Sequence, residues 1–449
     1  MLIASPPMLW PETTSRAEAG LLSIGGIPLV NLAERFGTPL YVFDEATLRN
    51  RARAVIGAMA RHYPRSRVLY AGKAFLSPAI VQLLHGEGRG LDVVSGGELH
   101  GGLLAGVPAA EITFHGNNKS PVELREAVAA GVGQIAIDNM LELERLSRLA
   151  ADLGTRVRVL LRLNPGIDVH THDKIKTGAI DSKFGFPLRT GDADRAADAV
   201  AGSTHLDLVG YHVHLGSQLF EPEASALATS TLFEFAAGVR DRLGIVPETI
   251  SPGGGFGIAY TDADAETAFE SWAAETGVAA LRCCARYGFA PPELTVEPGR
   301  FIVGPAAVAL YTVGARKAIP GVRTYVSVDG GMADNIRPTL YGARYTAEIA
   351  NRAHAGEPET VAIAGRYCES GDILIDEIAL PRLEPGDLLA MPAAGAYALP
   401  MASNYNATPR PAVVMVGDGD ARVIRHRETY ADVFAADEWE GRQVSATRN

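Results

Sequence analysis

Eight short runs rich in β-branched residues alternate with longer amphipathic segments along the first two thirds of the chain, and this alternation constrains the fold most. The longer segments, such as PVELREAVAAG (121–131) and MLELERLSRLAADLG (140–154), have the apolar spacing of helices and end at Gly. Eight strands alternating with helices over about 250 residues predict a parallel (β/α)₈ barrel. A doubly wound sheet gives the same alternation, but the count of eight favours the barrel. The eight runs are RVLYAGKA (67–74), LDVVSGGE (91–98), EITFHGNN (111–118), QIAIDN (134–139), RVRVLLRLNP (156–165), LVGYHVHLGS (208–217), ETISPGGG (248–255) and ELTVEPGR (293–300).

Polar and glycine residues cluster at the carboxyl ends of these runs. Gly, Asn and Ser are common in any loop, but their repetition at nearly every strand end favours a functional rim. Barrel enzymes carry their active sites on this rim. The clusters are Lys73, Ser95–Gly97, His115–Asn118, Asn164, His214–Ser217, Gly253–Gly255 and Glu297–Arg300.

The pattern changes after residue 300, where strand-like runs follow one another with turn residues and few helical segments between them. This part predicts an antiparallel β domain, a sandwich or barrel of about 120 residues, and segment 21–44 is expected to add one or two strands to it. The runs are FIVGPAAVALYTVGARKA, RTYVSVDGG, ETVAIAG, DILIDEIAL, DLLAMPA and RPAVVMVG. The predicted division is an N-terminal segment (1–44), the barrel (45–300), the β domain (301–435) and a tail (436–449).

Composition excludes several classes of protein. The net charge of −11 opposes binding to phosphate backbones, so no nucleic-acid partner is expected. No stretch approaches the ~18 uncharged apolar residues of a membrane helix, and the start MLIASPPMLWPETTSR resembles neither a secretory nor a transit signal. Three cysteines are too few for a disulfide framework and favour a reducing compartment. We expect a cytoplasmic protein that does not enter a membrane.

Lysine is rare in this chain, with six residues among 41 basic ones, so lysine chemistry has few candidates. Lys73 follows the first predicted barrel strand, in YAGKA, where partial desolvation would lower the pKa of its amine and suit it to Schiff-base chemistry. A surface lysine whose stem covers apolar residues is the alternative. Lys119, after FHGNN, is the second candidate.

Two turns on the predicted rim suit an anion. Gly253–Gly255 follow the seventh strand, and their backbone amides can approach a phosphate closely because no side chain intervenes. The EPGR turn after the eighth strand adds Arg300 as an anion clamp and Glu297 as a partner for a protonated ring nitrogen. A tight turn and a structural ion pair are the alternatives for these two motifs.

A metal site is not expected. His212 and His214 lie on one face of a predicted strand, and stacking on a planar ligand or packing in the barrel mouth explains them better than zinc. Zinc needs further ligands with sensible spacing, and no pattern ties His170, His172 or Asp173 to them.

The three cysteines differ in context. Cys283 and Cys284 sit in a predicted helix and are typical of packing residues. Cys368, in GRYCESGD, is flanked by charges and a Gly turn, which indicates a functional thiol.

Taken together, nine segments resemble blocks of the pyridoxal-phosphate amino acid decarboxylases with the alanine-racemase-type fold, in that family's order. Within it the chain is most similar to the diaminopimelate decarboxylases. The resemblance spans about residues 22–430. The segments are YAGKAF, FHGNNKS, DSKFGF, HVHLGSQ, GGGFGI, EPGR, VDGGMADNIRPTLYGA, GRYCESGD and GAYALPMASNYNATPRP.

The resemblance implies pyridoxal 5'-phosphate as cofactor. Lys73 would hold it covalently, His214 would stack on its ring, and Glu297 would keep the ring nitrogen protonated. Alanine racemases place Arg at that nitrogen, so Glu297 favours decarboxylation over racemisation. The residues implied to contact the cofactor are Lys73, His214, Ser217, Gly254, Gly255, Glu297, Gly299, Arg300 and Tyr397.

The resemblance also implies a substrate site shared between two subunits. The implied substrate ligands are Arg300, Arg337, Tyr341, Glu369 and Tyr397. Cys368 would donate a proton to the decarboxylated carbon, and the CES segment would come from the partner subunit of a homodimer. Lys73 and Cys368 are thus the implied catalytic residues.

The implied reaction is decarboxylation of meso-2,6-diaminopimelate to L-lysine, the final step of lysine biosynthesis. Ornithine decarboxylases usually have an acidic residue directly after LY, where this chain has Gly342. Arg337 suits a distal carboxylate instead. Decarboxylases of D-ornithine, D-lysine, L-ornithine or a carrier-bound amino acid share most of the motifs and stay as alternatives.

Overall fold

The eight predicted runs form eight parallel strands in the computed structural model, which describes residues 9–17, 20–166, 181–264, 268–353 and 356–439. The first strand pairs with the second and the eighth, and the fourth pairs with the fifth, so the sheet closes into a barrel. This confirms the predicted barrel. The strands are Ser66–Ala71, Gly90–Val93, Ile112–Phe114, Gln134–Ile137, Val157–Asn164, Leu206–His212, Thr249–Gly253 and Glu293–Val296.

Helices surround the barrel, and capping residues begin several of them at the rim. The Ser95 hydroxyl accepts from the backbone N–H of Glu98, and Ser120 forms a capping box with Glu123. No described helix combines the length and the apolar composition that a membrane span needs. The barrel helices are Glu45–His62, Pro78–Gly86, Gly96–Leu104, Pro121–Ala130, Met140–Asp152, Asp192–Ala201, Pro222–Leu243 and Phe269–Tyr287.

A second sheet follows the barrel. Strand Leu40–Asp44 lies inside it, antiparallel to Ala307–Ile319 and parallel to Ala412–Gly417. Strands Arg323–Val328 and Pro358–Ala364 are also parallel, so the sheet is not purely antiparallel as the sequence suggested. These pairs are joined by long connections rather than hairpins, and a long connection leaves strand direction free. The other strands of this sheet are Glu348–Ile349, Ile373–Pro381, Leu388–Met391 and Asp420–Arg425.

The N-terminal segment packs on this second sheet. Three short strands form a separate small sheet, and helix Leu29–Phe36 follows it. Leu22 and Leu29 are buried in one apolar cluster with Val308 and Val414 of the large sheet. The three strands are Ser15–Arg16, Leu22–Ile24 and Ile27–Pro28. Other short elements include strand Phe186–Pro187, which pairs with the fifth barrel strand, and helices Arg300–Val303, Arg337–Tyr341 and Tyr430–Val433.

Candidate active site

Lys73 lines a cavity of about 870 Å³ between the barrel rim and the second sheet. It sits in the short turn Gly72–Ala74, directly after the first barrel strand. The backbone N–H of Tyr397 donates to the carbonyl of Ala74 over 2.9 Å, which ties the β domain to the lysine turn. The apolar strand and this tie fix the amine at the junction of the two parts of the molecule.

One end of the cavity is built to hold an anion. A Cβ on Gly254 would lie 2.1 Å from the carbonyl oxygen of Glu297, and one on Gly255 would lie 2.3 Å from that of Gly216. Only glycine fits this turn, so a ligand can approach the backbone closely there. Arg300 donates from Nη2 to Ser217 Oγ over 2.8 Å, and its buried Nε has no hydrogen-bond partner.

Glu297 lines a small enclosed space that also contacts Lys73, Gly255 and Arg300, and it is buried. Ser251 Oγ donates to its Oε1 over 2.8 Å, and His212 Nε2 lies 3.2 Å from its Oε2. Burial by itself would raise the pKa of Glu297, but His212 and His115 outweigh burial and the pKa lies well below its ordinary value. The enclosed space therefore has a carboxylate and a guanidinium in its walls.

Two further buried titratable groups, Asp92 and His115, lie near Glu297. His115 Nε2 is 3.6 Å from Glu297 Oε1 and 3.7 Å from Asp92 Oδ1. Burial, and then the charge of Glu297, raise the pKa of Asp92 well above its ordinary value, and burial lowers the pKa of His115 well below it. Among the groups that lower the pKa of Glu297, His212 contributes most, and Ser251 adds a hydrogen bond from a neutral donor.

The outer part of the cavity contains a second buried guanidinium. Arg337 donates from Nη1 to the hydroxyl of Tyr345, and its Nε has no hydrogen-bond partner. Tyr341 lines the same wall, and its hydroxyl is 4.0 Å from Met401 Sδ. The single chain thus gathers ten predicted residues around this cavity and the small enclosed space that shares part of its lining, with Gly254 in the adjoining turn. The ten are Lys73, His214, Ser217, Gly255, Glu297, Gly299, Arg300, Arg337, Tyr341 and Tyr397.

Cys368 and Glu369 do not join this group. Both are exposed, and neither lines the cavity that contains Lys73. The backbone N–H of Cys368 donates to Asn406 Oδ1 over 3.0 Å, and its carbonyl accepts from the hydroxyl of Tyr405. The CES segment therefore faces outwards from the chain that carries it.

The secondary candidates have structural partners. Lys119 is buried, and its Nζ donates to Glu142 Oε1 over 2.6 Å and to two backbone carbonyls. Cys283 and Cys284 are buried on helix Phe269–Tyr287, as expected for packing residues. His170, His172 and Asp173 lie outside the described residues.

Sequence reasoning missed two features of the site, the grouping of His115, His212 and Glu297 and the part played by Tyr260. His115, His212 and Glu297 offer potential metal-ligand atoms within 4.8 Å of one another. Spacing along the chain did not link them because they come from three different strands. Tyr260, between Arg300 and Arg337, was also missed. Its one signal is its position just after the GGG turn.

Comparison with known proteins agrees with this arrangement. A family described as pyridoxal-dependent decarboxylase, pyridoxal binding domain, matches residues 49–304. Diaminopimelate decarboxylase of Bacillus subtilis (strain 168) is 48% identical over 425 residues, which cover 95% of this chain and 97% of that protein. The Mycobacterium tuberculosis enzyme of the same name is 42% identical over 445 residues, which cover 97% of this chain and 98% of that protein.

Solved structures are similar as well. Diaminopimelate decarboxylase from M. jannaschii in complex with L-lysine aligns with a TM-score of 0.88 at 34% identity, over 96% of this chain and 99% of that one. The Helicobacter pylori enzyme with L-lysine aligns with a TM-score of 0.83 at 30% identity, over 91% and 98%. The barrel and its rim therefore define a pyridoxal-dependent decarboxylase. The chain belongs to the diaminopimelate decarboxylase family within that class.

The site fits pyridoxal 5'-phosphate, the cofactor of this class. The phosphate matches the glycine turn with Ser217 and Arg300, where Arg300 Nε is unpaired. The ring nitrogen matches Glu297, whose lowered pKa keeps it ionised. Lys73 lines the same enclosed space as these groups. Its amine is therefore available to the aldehyde of the cofactor.

Proposed function

We propose that this protein decarboxylates meso-2,6-diaminopimelate to L-lysine and carbon dioxide with pyridoxal 5'-phosphate, at the end of lysine biosynthesis. The observation that carries the substrate assignment is Arg337, a buried guanidinium that faces the cavity of Lys73. Among the described residues no carboxylate forms an ion pair with it. A buried charge needs a partner, and the distal carboxylate of diaminopimelate supplies one.

The residues around the ring prepare the site for loss of carbon dioxide. When bound, pyridoxal phosphate delocalises the electron pair that the departing carboxylate leaves on carbon. Lys73 would hold the cofactor covalently, and its amine would act in proton transfer. Glu297 would keep the ring nitrogen protonated, which would strengthen the electron sink. His214, whose Nδ1 accepts from the N–H of Gly254 over 3.4 Å, would contact the ring.

The substrate ligands divide by charge. Arg300 and Arg337 bind the distal carboxylate, Tyr341 and Tyr397 border it, and Glu369 binds the distal ammonium group. The residue after Tyr341 supports a carboxylate rather than an amine at the distal end of the substrate. Gly342 ends helix Arg337–Tyr341 in a left-handed conformation and offers no acidic group to a diamine.

The outward CES segment supports a homodimer with two shared sites. Cys368 of a second copy would supply the proton to the carbon that has lost carbon dioxide, and Glu369 of the same copy would reach the distal amine. A C2 dimer closes this exchange, because each copy gives its CES segment to the other. The exposed, free thiol of Cys368 also supports a reducing compartment, the cytoplasm.

We further propose the division of the chain into an N-terminal segment (1–44), a cofactor-binding barrel (45–300), a β domain (301–435) and a tail (436–449). Support comes from the barrel strands, which lie between Ser66 and Val296, and from the family match to residues 49–304.

The test is carbon dioxide release by protein reconstituted with pyridoxal phosphate. The substrates are meso-diaminopimelate, D-ornithine, D-lysine and L-ornithine in parallel. Release from diaminopimelate alone is expected, and Arg337→Ala is expected to abolish it. Turnover of another member of the panel, with none from diaminopimelate, would refute the substrate assignment and leave the decarboxylase class intact.

A further inference from the structure

Two like-charged guanidiniums lie buried in one cavity without an acidic partner. Arg300 is 6% exposed and Arg337 is 5% exposed, and both line the cavity of Lys73. In the described part of the chain no carboxylate lies within ion-pair distance of either. Each has an unbonded, buried Nε. Since buried charges are normally paired, something else must hold these side chains in place until a ligand arrives.

Tyr260 contacts both of them. Its hydroxyl accepts a hydrogen bond from Arg300 Nη1, and the guanidinium of Arg337 lies over its ring, 4.3 Å from the centroid. A cation over an aromatic face is attracted by the ring quadrupole. Tyr260 thus binds Arg300 through its hydroxyl and Arg337 through the face of its ring. It therefore fixes the spacing of the two guanidiniums.

Tyr260 is itself held firmly. Its backbone N–H donates to Asp264 Oδ2 over 2.8 Å, and its ring packs edge-on against Tyr345 with 5.2 Å between centroids. The Tyr345 hydroxyl in turn accepts from Arg337. Burial raises the pKa of Tyr345, so this phenol stays neutral. Among the described residues, the side chains that accept hydrogen bonds from the two guanidiniums are therefore hydroxyls and not carboxylates.

Uncharged support has a consequence for binding. A carboxylate in the position of Tyr260 would neutralise the arginines and compete with an anionic ligand. A tyrosine orients them and leaves their charge available. The arrangement suits a ligand carboxylate that meets both guanidiniums.

We propose that Tyr260 is a positioning residue that makes Arg300 and Arg337 a clamp for the distal carboxylate of the substrate. It thereby sets the preference for amino acids with a carboxylate at the end remote from the reacting carbon. This inference rests on the proposed function and adds the residue that determines its specificity.

The test compares two ligands that differ by one carboxylate. L-Lysine and cadaverine are titrated calorimetrically into cofactor-loaded protein. Tyr260→Phe keeps the ring and removes the acceptor of Arg300, so L-lysine should bind on the order of tenfold more weakly. Tyr260→Leu removes the ring as well and should weaken L-lysine binding further. Cadaverine, without the carboxylate, should keep the same low affinity in every form.

Tyr63→Phe is the matched control. Tyr63 is buried, and its hydroxyl donates to the carbonyl of Pro292 at the opposite end of the barrel. Tyr63→Phe should leave the affinities for both L-lysine and cadaverine unchanged. Cofactor content, measured by visible absorbance, should be equal in all forms and shows that the barrel mouth is intact.

Three results would overturn the inference. They are unchanged L-lysine affinity in both Tyr260 variants, an equal loss for L-lysine and cadaverine, and no preference for L-lysine in the unsubstituted protein. The proposed function is judged separately by carbon dioxide release. A protein that binds L-lysine through Tyr260 without decarboxylating diaminopimelate would refute the function and keep the clamp.

Discussion

At the scale of single residues, burial decides which titratable side chains of the site carry a charge. His115 lies 3.7 Å from Asp92 and 3.6 Å from Glu297, and of the three groups only Glu297 has its pKa shifted towards the charged form. Burial drives Asp92 and His115 towards their neutral forms. Hydrogen bonds from Ser251 and His212 stabilise the charge on Glu297. A single negative charge is thus fixed where a protonated ring nitrogen needs it.

The first prediction concerns Lys73. Lys73→Ala should lose the covalent link to the cofactor, because among the residues that the structure describes no other amine lines the enclosed space that Glu297 and Arg300 share with it. Desalting should then remove the visible absorbance, and carbon dioxide release should fall by a factor of roughly 10²–10⁴. Lys317→Ala, on an exposed part of strand Ala307–Ile319, is the control and should behave as the unsubstituted protein. Full retention of colour in Lys73→Ala would contradict the assignment.

At the scale of elements, strand Leu40–Asp44 joins the N-terminus to the β domain. All five of its residues are buried, since both of its faces are covered. Tyr41 and Phe43 contribute to the main core, while Leu40 and Val42 contribute to the cluster beneath the N-terminal segment. Tyr41 also donates to Asp334 Oδ1, which accepts a second hydrogen bond from Tyr311 on the neighbouring strand.

The second prediction follows from the buried carboxyl of Asp334. Burial raises its pKa from 3.8 to about 6. The folded state therefore holds this proton more tightly than the unfolded state, and the group destabilises the fold as pH rises through that range. Relative to Asp334→Asn, the unsubstituted protein should lose about 2 kcal/mol between pH 4.5 and pH 7.5. Thermal unfolding of both forms at the two pH values measures this, and a pH-independent difference would contradict it.

At the scale of the whole molecule, one chain contains the cofactor pocket and presents its CES segment to the outside. The barrel rim and the β domain enclose Lys73, whereas Cys368 and Glu369 lie exposed in the β domain. A complete site under the proposed mechanism therefore needs two copies of the chain. Activity should depend on assembly even though each copy folds its own barrel.

The third prediction tests this sharing of sites. Lys73→Ala and Cys368→Ala should each be nearly inactive alone. Dimers assembled from equal amounts of both contain hybrids with one intact site, so the mixture should regain about a quarter of the full activity. Co-expression followed by a carbon dioxide assay measures it. A mixture no more active than its components would show that each chain uses its own Cys368.

Much of the fold could be predicted from the sequence because its signals are local. Period and turn residues placed all eight barrel strands, and glycines such as Gly131 marked helix ends. The direction of strands in the β domain could not be predicted. Parallel pairs such as Leu40–Asp44 with Ala412–Gly417 depend on contacts between distant parts of the chain.

The sequence by itself determined the barrel, the glycine turn and the position of Lys73 on the rim, since periodicity and backbone freedom act over a few residues. Only the tertiary structure decided which side chains meet. His212 lies 85 residues from Glu297 and still shares a hydrogen bond with it, because neighbouring strand ends converge at the barrel mouth. Tyr260 of the barrel contacts Arg337 of the β domain because both line the cavity between these two parts of the chain. Burial then sets the charges, and burial exists only once the chain has folded.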